Sequence, residues 1–159
     1  MKIHPETKMG HVHLTVSNLE RSLGFYRDLL GFEVTAKYGD NAVFLSAGGY
    51  HHHIGLNTWA GAGAPPPAPG TTGLYHFAIL LPSRVELAKV FKRLIDAKYP
   101  LEGASDHGVS EAIYLHDPDG IGIELYADRE KKEWKVNNEG EIEMVTKALD
   151  IANLLKELE

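Results

Sequence analysis

GHVHLTVSNLERSLGFYRDLLGFEV, residues 10–34, decides how the rest of the chain is read. Within it HVHLTV (11–16) alternates His11, His13 and Thr15 with Val12, Leu14 and Val16, the period-two pattern of a strand with one polar face. That polar face is able to point into a cavity. Ser17 or Asn18 can cap the helix that follows, in which Leu19, Leu23, Tyr26, Leu29 and Leu30 recur at helical spacing until Gly31 stops it. AVFLSA (42–47) and HIGLNTW (53–59) then read as strands, joined by the turn-forming Gly48-Gly49.

The same order recurs from residue 74. LYHFAILLP is a strand, RVELAKVFKRLIDAKY a helix, SEAIYLHD a strand, DPDG a turn and IGIELYA a strand. A constant shift of 65 residues puts His11 on His76, Leu14 on Ile79, Tyr26 on Phe91, Leu29 on Leu94 and Leu30 on Ile95. The later strands need a shift of 70, which puts Ala42–Leu45 on Ala112–Leu115, and then 69, which puts Ile54-Gly55-Leu56 on Ile123-Glu124-Leu125. Two copies of this length suit a paired, pseudo-symmetric sheet and are too few for a solenoid. The modules are expected over 8–59 and 74–130.

AGAGAPPPAPGTTG (60–73) excludes helix and suits an extended, solvated connector. A tail over 131–159 turns polar after Trp134. Its EMVTKALDIANLLKELE (143–159) reads as an amphipathic helix whose Met144, Leu149, Ile151, Leu154, Leu155 and Leu158 would cover the sheet or a partner subunit.

The 159 residues, 43% hydrophobic and 24% charged, suffice for one compact soluble domain with a substantial core. No apolar run approaches the roughly 20 residues of a spanning helix, so no membrane partner is expected. The opening MKIHPETKMGH has no apolar h-region, and a cytoplasmic location follows as the default expectation. A net charge of −6 argues against broad phosphate-backbone binding, which excludes nucleic acid as an expected partner. With no cysteine there is neither disulfide nor thiol nucleophile, so any metal must be held by histidine and carboxylate.

The nine histidines lie mostly in or beside the expected strands. His11 and His76 take equivalent places in the two modules, so pseudo-two-fold packing would bring them toward a common axis. Glu124 sits on the last strand, flanked by Ile123 and Leu125 pointing the other way. A carboxylate turned into a sheet interior is costly unless paired, protonated or metal-bound. Two imidazoles and one carboxylate with open positions suit non-haem Fe(II), and Mn(II), Zn(II) or Ni(II) could also occupy such a set. His13, facing the same side as His11, is its rival.

GHVHLTVSNLERSLGFYRDLLGFEV resembles the opening of the glyoxalase, bleomycin-resistance and extradiol-dioxygenase superfamily, the vicinal oxygen chelate group, and DPDGIGIELYAD resembles its closing strand. The resemblance covers residues 8–130. It implies an α+β fold of two tandem βαβββ modules forming a curved mixed sheet, and its metal ligands land on His11, His76 and Glu124. A glyoxalase I carries a fourth ligand, a Glu, where this chain has Gly55. Extradiol dioxygenases use only the three.

YHFAILLP, GASDHGVSEAIYLHDPDGIGIELYADR and the following Trp134 are further similar to Bacillus-type catechol 2,3-dioxygenases, which are longer. That resemblance implies a proton-transferring His at the start of module one's last strand, best matched by His52, with His53 as the neighbouring alternative. It also implies a substrate-orienting tyrosine ten residues before the Glu ligand, matched by Tyr114, and a His near dioxygen and substrate, matched by His107. His4 and His116 read as surface residues, and DPDG as a turn without chemistry.

The expected activity is therefore an Fe(II)-dependent extradiol cleavage of a catechol-like diol by O2. The rivals are a glyoxalase-like isomerase, an epimerase or a thiol transferase of the same superfamily, and a non-catalytic drug-binding protein. Modules of this kind either pair within one chain or swap between two, so monomer and homodimer both stay open.

Overall fold

A computed structural model describes residues 2–159 of the chain, which divides into two compact units, one through Pro67 and one from Ala68 to Glu159. The division falls inside the connector 60–73, which holds no helix or strand. No helix of the described residues is long and apolar enough to cross a membrane.

The first unit runs β1 (Val12–Thr15), α1 (Leu19–Leu23), a π-helical segment (Gly24–Leu29), β2 (Glu33–Tyr38), β3 (Ala42–Ser46) and β4 (Ile54–Asn57). Its mixed sheet has the order β1-β4-β3-β2, with β1 and β4 parallel and the other pairs antiparallel. Asn18 begins the helix by accepting from the Arg21 amide at 2.8 Å, a side-chain cap on an otherwise unpaired donor. The helix widens into a π-turn, marked by the Leu30 amide reaching the Phe25 carbonyl at 2.9 Å, and ends at Gly31, whose φ of +94° suits glycine alone. Leu14, Val16, Leu23, Phe25, Tyr26, Leu45, Ile54 and Leu56 are buried together. The opposite sheet face keeps His11, His13 and Thr15 exposed.

The second unit repeats the plan: β5 (His76–Leu80), α2 (Arg84–Asp96), β6 (Gly103–Asp106), β7 (Ser110–His116) and β8 (Gly122–Asp128). Its sheet order is β5-β8-β7-β6, extended at the edge by β9 (Lys147–Ala148). Leu87, Ala88, Phe91 and Leu94 of α2 are buried, as are Ile113, Leu115, Ile123 and Leu125 of the sheet, each of the large apolar side chains contributing on the order of 1.5–3 kcal/mol when withdrawn from water. Buried Asp117 forms the DPDG turn, its Oδ1 accepting from the Asp119 and Ile121 amides at 2.8 and 2.9 Å, with Gly120 at φ +81°.

The α+β class and duplicated βαβββ plan agree with the sequence reading, and two strands join those read from local pattern. β2 and β6 pair at sheet positions where the residues are largely exposed or half-buried, so neither carries an apolar alternation. The tail differs more. Helix α3 covers only Ile151–Leu155, followed by a 3₁₀ turn at Lys156–Leu158, while the segment before it is extended and places Lys147-Ala148 on the edge of β6. Asp150 starts the helix late by capping the Asn153 amide at 2.9 Å, and β-branched Val145 and Thr146 favour the extended form ahead of it. Leu149 and Leu154 are buried, whereas Met144 is 69% exposed.

Candidate active site

In the second unit three strands present one row of side chains. Parallel pairing sets Ala78 of β5 beside Glu124 of β8, and antiparallel pairing sets Tyr114 of β7 opposite the same Glu124. Strand alternation sends Ile123 and Leu125 into the core and Glu124 to the other face. His76 lies two residues before Ala78 on that face, and its Nε2 stands 3.0 Å from Glu124 Oε2. The backbone there is tightly drawn. A Cβ on Gly122, the partner of His76, would run into the Tyr75 carbonyl oxygen and lie 3.0 Å from the His76 Cβ.

The Tyr114 hydroxyl stands between two hydrogen-bond partners, Glu124 Oε1 at 3.0 Å, which can only accept its proton, and His107 Nε2 at 2.6 Å. Burial first, then the negative charge of Glu124, pushes the Tyr114 phenol up to about 12, so it remains a proton donor over the ordinary pH range. The other imidazole nitrogen of His107 meets the Val145 carbonyl at 2.8 Å. A chain of polar contacts thus runs from the tail backbone through His107 and Tyr114 to Glu124 and His76.

The first unit has the equivalent row with different occupants. His13 pairs with Gly55 and Phe44 pairs with Gly55 from the other side, at the positions that Ala78, Glu124 and Tyr114 hold in the second unit. The room freed by Gly55 is filled by the imidazole of His13, whose Cγ would stand 2.9 Å from a Cβ placed there. His13 also leans on Trp59, with ring centroids 5.4 Å apart.

His11 lies at the mouth of this row, and its ring centroid is 4.4 Å from that of His52. His52 in turn packs 5.0 Å from the Phe44 ring, and its Nδ1 is 2.7 Å from His51 Nδ1. Burial, followed by the neighbouring imidazoles of His11, His51, His13 and His53, holds the His52 pKa below the ordinary imidazole value. His53 is turned elsewhere: its Nδ1 lies 3.1 Å from Ser46 Oγ and accepts the Ala47 amide at 3.3 Å. The run 51–53 is irregular, since β4 begins only at Ile54, and strict alternation therefore does not govern which ring faces His11.

The profile of the Glyoxalase/Bleomycin resistance protein/Dioxygenase superfamily matches residues 8–125. The chain belongs to this superfamily. It is 46% identical over 155 residues to a catechol-2,3-dioxygenase of Bacillus subtilis, a match covering 98% of this chain and 53% of that protein. It is 29% identical over 128 residues to a manganese-dependent 2,3-dihydroxybiphenyl 1,2-dioxygenase of Geobacillus genomosp. 3, covering 78% of this chain and 38% of that protein. The chain thus spans about half the length, or less, of these two dioxygenases. Among solved structures, a glyoxalase/dioxygenase from Nostoc punctiforme superposes with a TM-score of 0.66 at 20% identity, covering 82% of this chain and 98% of that one, a likeness of fold.

The dioxygenase relatives imply a divalent metal ion, and the donor set can be tested against one. In an octahedral site two neighbouring ligands about 2.1 Å from the ion stand about 3.0 Å apart. His76 Nε2 and Glu124 Oε2 have that separation. Both are also only part-exposed, the His76 side chain at 30% and that of Glu124 at 14%. Among the described residues no group of three or more histidine, aspartate or glutamate side chains is gathered to hold a metal ion, so the structure itself supplies a pair. His11 belongs to the first unit and is placed with His52. His4 and His116 lie exposed, the latter 3.1 Å from Glu102.

Proposed function

We propose that this chain is a metal-dependent extradiol ring-cleaving dioxygenase acting on a catechol-like aromatic diol, with His11, His76 and Glu124 as ligands of one divalent ion. The observation that carries this reading is the convergence of His76 and the Tyr114 hydroxyl on the two oxygens of Glu124. Identity of 46% to a catechol-2,3-dioxygenase supports the substrate class. Fe(II) is the proposed metal because an imidazole–carboxylate set with open positions suits it, with Mn(II), Zn(II) and Ni(II) as alternatives.

When bound, the ion would supply the Lewis-acid and redox chemistry that joins O2 to an electron-rich ring. The protein's own groups would handle position and protons. Tyr114, kept protonated by burial and by Glu124, would turn the hydroxyl proton that now lies within reach of Glu124 toward a diol oxygen and so orient it beside the carboxylate. His52, held neutral by burial and by its imidazole neighbours, accepts the phenolic proton at an unprotonated ring nitrogen and returns it later. Phe44 and Trp59 line the same face of the first sheet and offer apolar surface to a planar ring.

The test is O2 uptake by protein reconstituted anaerobically with Fe(II) or Mn(II), over a panel of catechols. A yellow ring-fission product with stoichiometric O2 consumption is expected. Tight metal binding without product from any catechol would move the protein to the isomerase or transferase members of its superfamily, and no metal binding would move it to the drug-binding members.

A further inference from the structure

The tail after β8 returns to the site. Trp134 Nε1 donates to the Arg129 carbonyl at 2.9 Å, the Val136–Ile142 bridge closes a hairpin, and the chain then runs along the outer edge of β6. Over that run the Val145 amide donates to the His107 carbonyl at 3.1 Å and the Leu149 amide to the Ala104 carbonyl at 3.3 Å. Arg84 anchors the far end, its guanidinium donating to Glu111 at 2.6 Å, Glu157 at 2.6 Å and Asn153 Oδ1 at 2.8 Å.

This strap also touches the His107 ring, whose Nδ1 lies 2.8 Å from the Val145 carbonyl oxygen. A carbonyl oxygen only accepts, so Nδ1 must carry the hydrogen of that bond. In the neutral ring Nε2 is then an acceptor, and it faces the Tyr114 hydroxyl at 2.6 Å. The Tyr114 hydroxyl has one proton and two acceptors within reach, His107 Nε2 and Glu124 Oε1 at 3.0 Å. Were the tautomer reversed, Nε2–H would donate to the tyrosine oxygen, the tyrosine proton would be confined to Glu124, and the Val145 carbonyl would face a bare nitrogen.

We propose that the main-chain carbonyl of Val145 fixes the tautomer and orientation of His107, making the tail from Val136 to Leu149 a positioning part of the site that presents an acceptor nitrogen to Tyr114. The proposal deepens the dioxygenase reading, on which Tyr114's role in turnover rests, yet its own tests use no substrate.

Long-range ¹H–¹⁵N spectra of the full chain at neutral pH should show His107 with a protonated Nδ1 and an unprotonated Nε2. A predominant Nε2–H form would overturn the proposal. Two variants then separate the contacts, because Asn reproduces the Nδ1 position of a histidine and Gln the Nε2 position. His107→Asn should keep the protection of the Val145 and Leu149 amides against hydrogen exchange. His107→Gln should lose the anchoring bond and exchange about tenfold faster there, the effect of roughly one hydrogen bond. Equal protection in the two variants would overturn the proposal even if the protein proves inactive on every catechol, and a dioxygenase with the wrong His107 tautomer would sink this proposal alone.

Discussion

The imidazole of His13 lies over Gly55, so close that a Cβ on the glycine would stand 2.9–3.0 Å from three of its ring atoms. The first unit thus places a ring where the second has the Ala78–Glu124 pair. Gly55→Ala must displace that ring, and overpacking of this kind costs about 1–3 kcal/mol. His13→Ala in the same chain should relieve the clash. A double-mutant cycle read by urea unfolding is expected to show favourable coupling of at least about 0.5 kcal/mol, and additive effects would show that His13 is not the obstacle.

Metal binding should depend on His11, His76 and Glu124 separately. Loss of an outer hydrogen-bond partner of a ligand costs roughly 10–100-fold in affinity, and removal of a ligand should exceed that. Titration of Zn(II) or Mn(II) into His76→Ala and Glu124→Ala by calorimetry is the measurement, with His11→Ala in parallel. Tyr114→Phe serves as the outer-partner comparison, since its hydroxyl contacts Glu124 at 3.0 Å. Wild-type affinity in any of the three alanine variants would remove that residue from the ligand set.

Proton transfer and metal holding should separate in the reconstituted protein. His52 faces His11 and Phe44, whereas His53 is tied to Ser46 and Ala47. His52→Ala is expected to retain metal and lose roughly 10²–10⁴-fold in turnover, the usual contribution of a general base. His53→Ala should leave turnover within a few-fold while lowering stability through the β3–β4 connection. The reverse pattern would transfer the role to His53.

These predictions depend on features of unequal legibility in the sequence. The repeat shifts of 65, 69 and 70 residues rested on apolar patterns, and the strand registers reproduce them: His13–Gly55–Phe44 and Ala78–Glu124–Tyr114 are the same row in each sheet. His76 and Glu124 are legible through the 65-residue repeat shift and the Ile123–Glu124–Leu125 alternation of β8, whereas β5 reads from Phe77 to Leu80 as one apolar run. Strand β2, at a sheet edge, and β6, covered only by the two-residue β9, carry no local signal, since a strand with exposed residues has no apolar face to declare itself. Nor can the sequence reveal the Val145 contact, because a main-chain carbonyl has no residue signature and the helical spacing of Ile151, Leu154, Leu155 and Leu158 extends the helical reading back over Met144 and Leu149. In the run 51–53 alternation failed as a guide, as the strand starts one residue later than read.

Buried Glu111 accepts from two guanidiniums, Arg84 at 2.6 Å and Arg129 at 2.8 Å. Stranding a buried charge costs about 3–5 kcal/mol. Glu111→Gln strands neither arginine, because Arg84 keeps Glu157 and Arg129 keeps Asp106 at 2.9 Å. The expected loss is therefore about 1–3 kcal/mol, the scale of weakened charge-assisted hydrogen bonds. Urea unfolding of the full chain measures it, and a loss above about 4 kcal/mol would mean that the carboxylate neutralises charges beyond these two.

Alkaline stability gives a test remote from any metal. Tyr99 follows α2, and its hydroxyl donates to the His116 carbonyl at 2.8 Å. Burial first, then the negative charge of Asp117, pushes its phenol up to about 12. The ordinary phenol value is about 10, so the folded chain holds this proton more tightly than the unfolded chain does. Neutral Tyr99 therefore contributes stability that is complete below about pH 10 and is lost as pH rises toward about 12. Tyr99→Phe removes both the hydrogen bond and the titration. It should be less stable than wild type at pH 8, by about 1 kcal/mol for one hydrogen bond, and that deficit should shrink as pH climbs through the window. Some slope will persist in the variant, since burial likewise pushes Tyr114 up to about 12 and raises Tyr126. Urea midpoints at several pH values from 8 to the alkaline limit decide the matter. A deficit that stays constant, with parallel curves for the two proteins, would show that Tyr99 ionises no later in the folded chain than in the unfolded one.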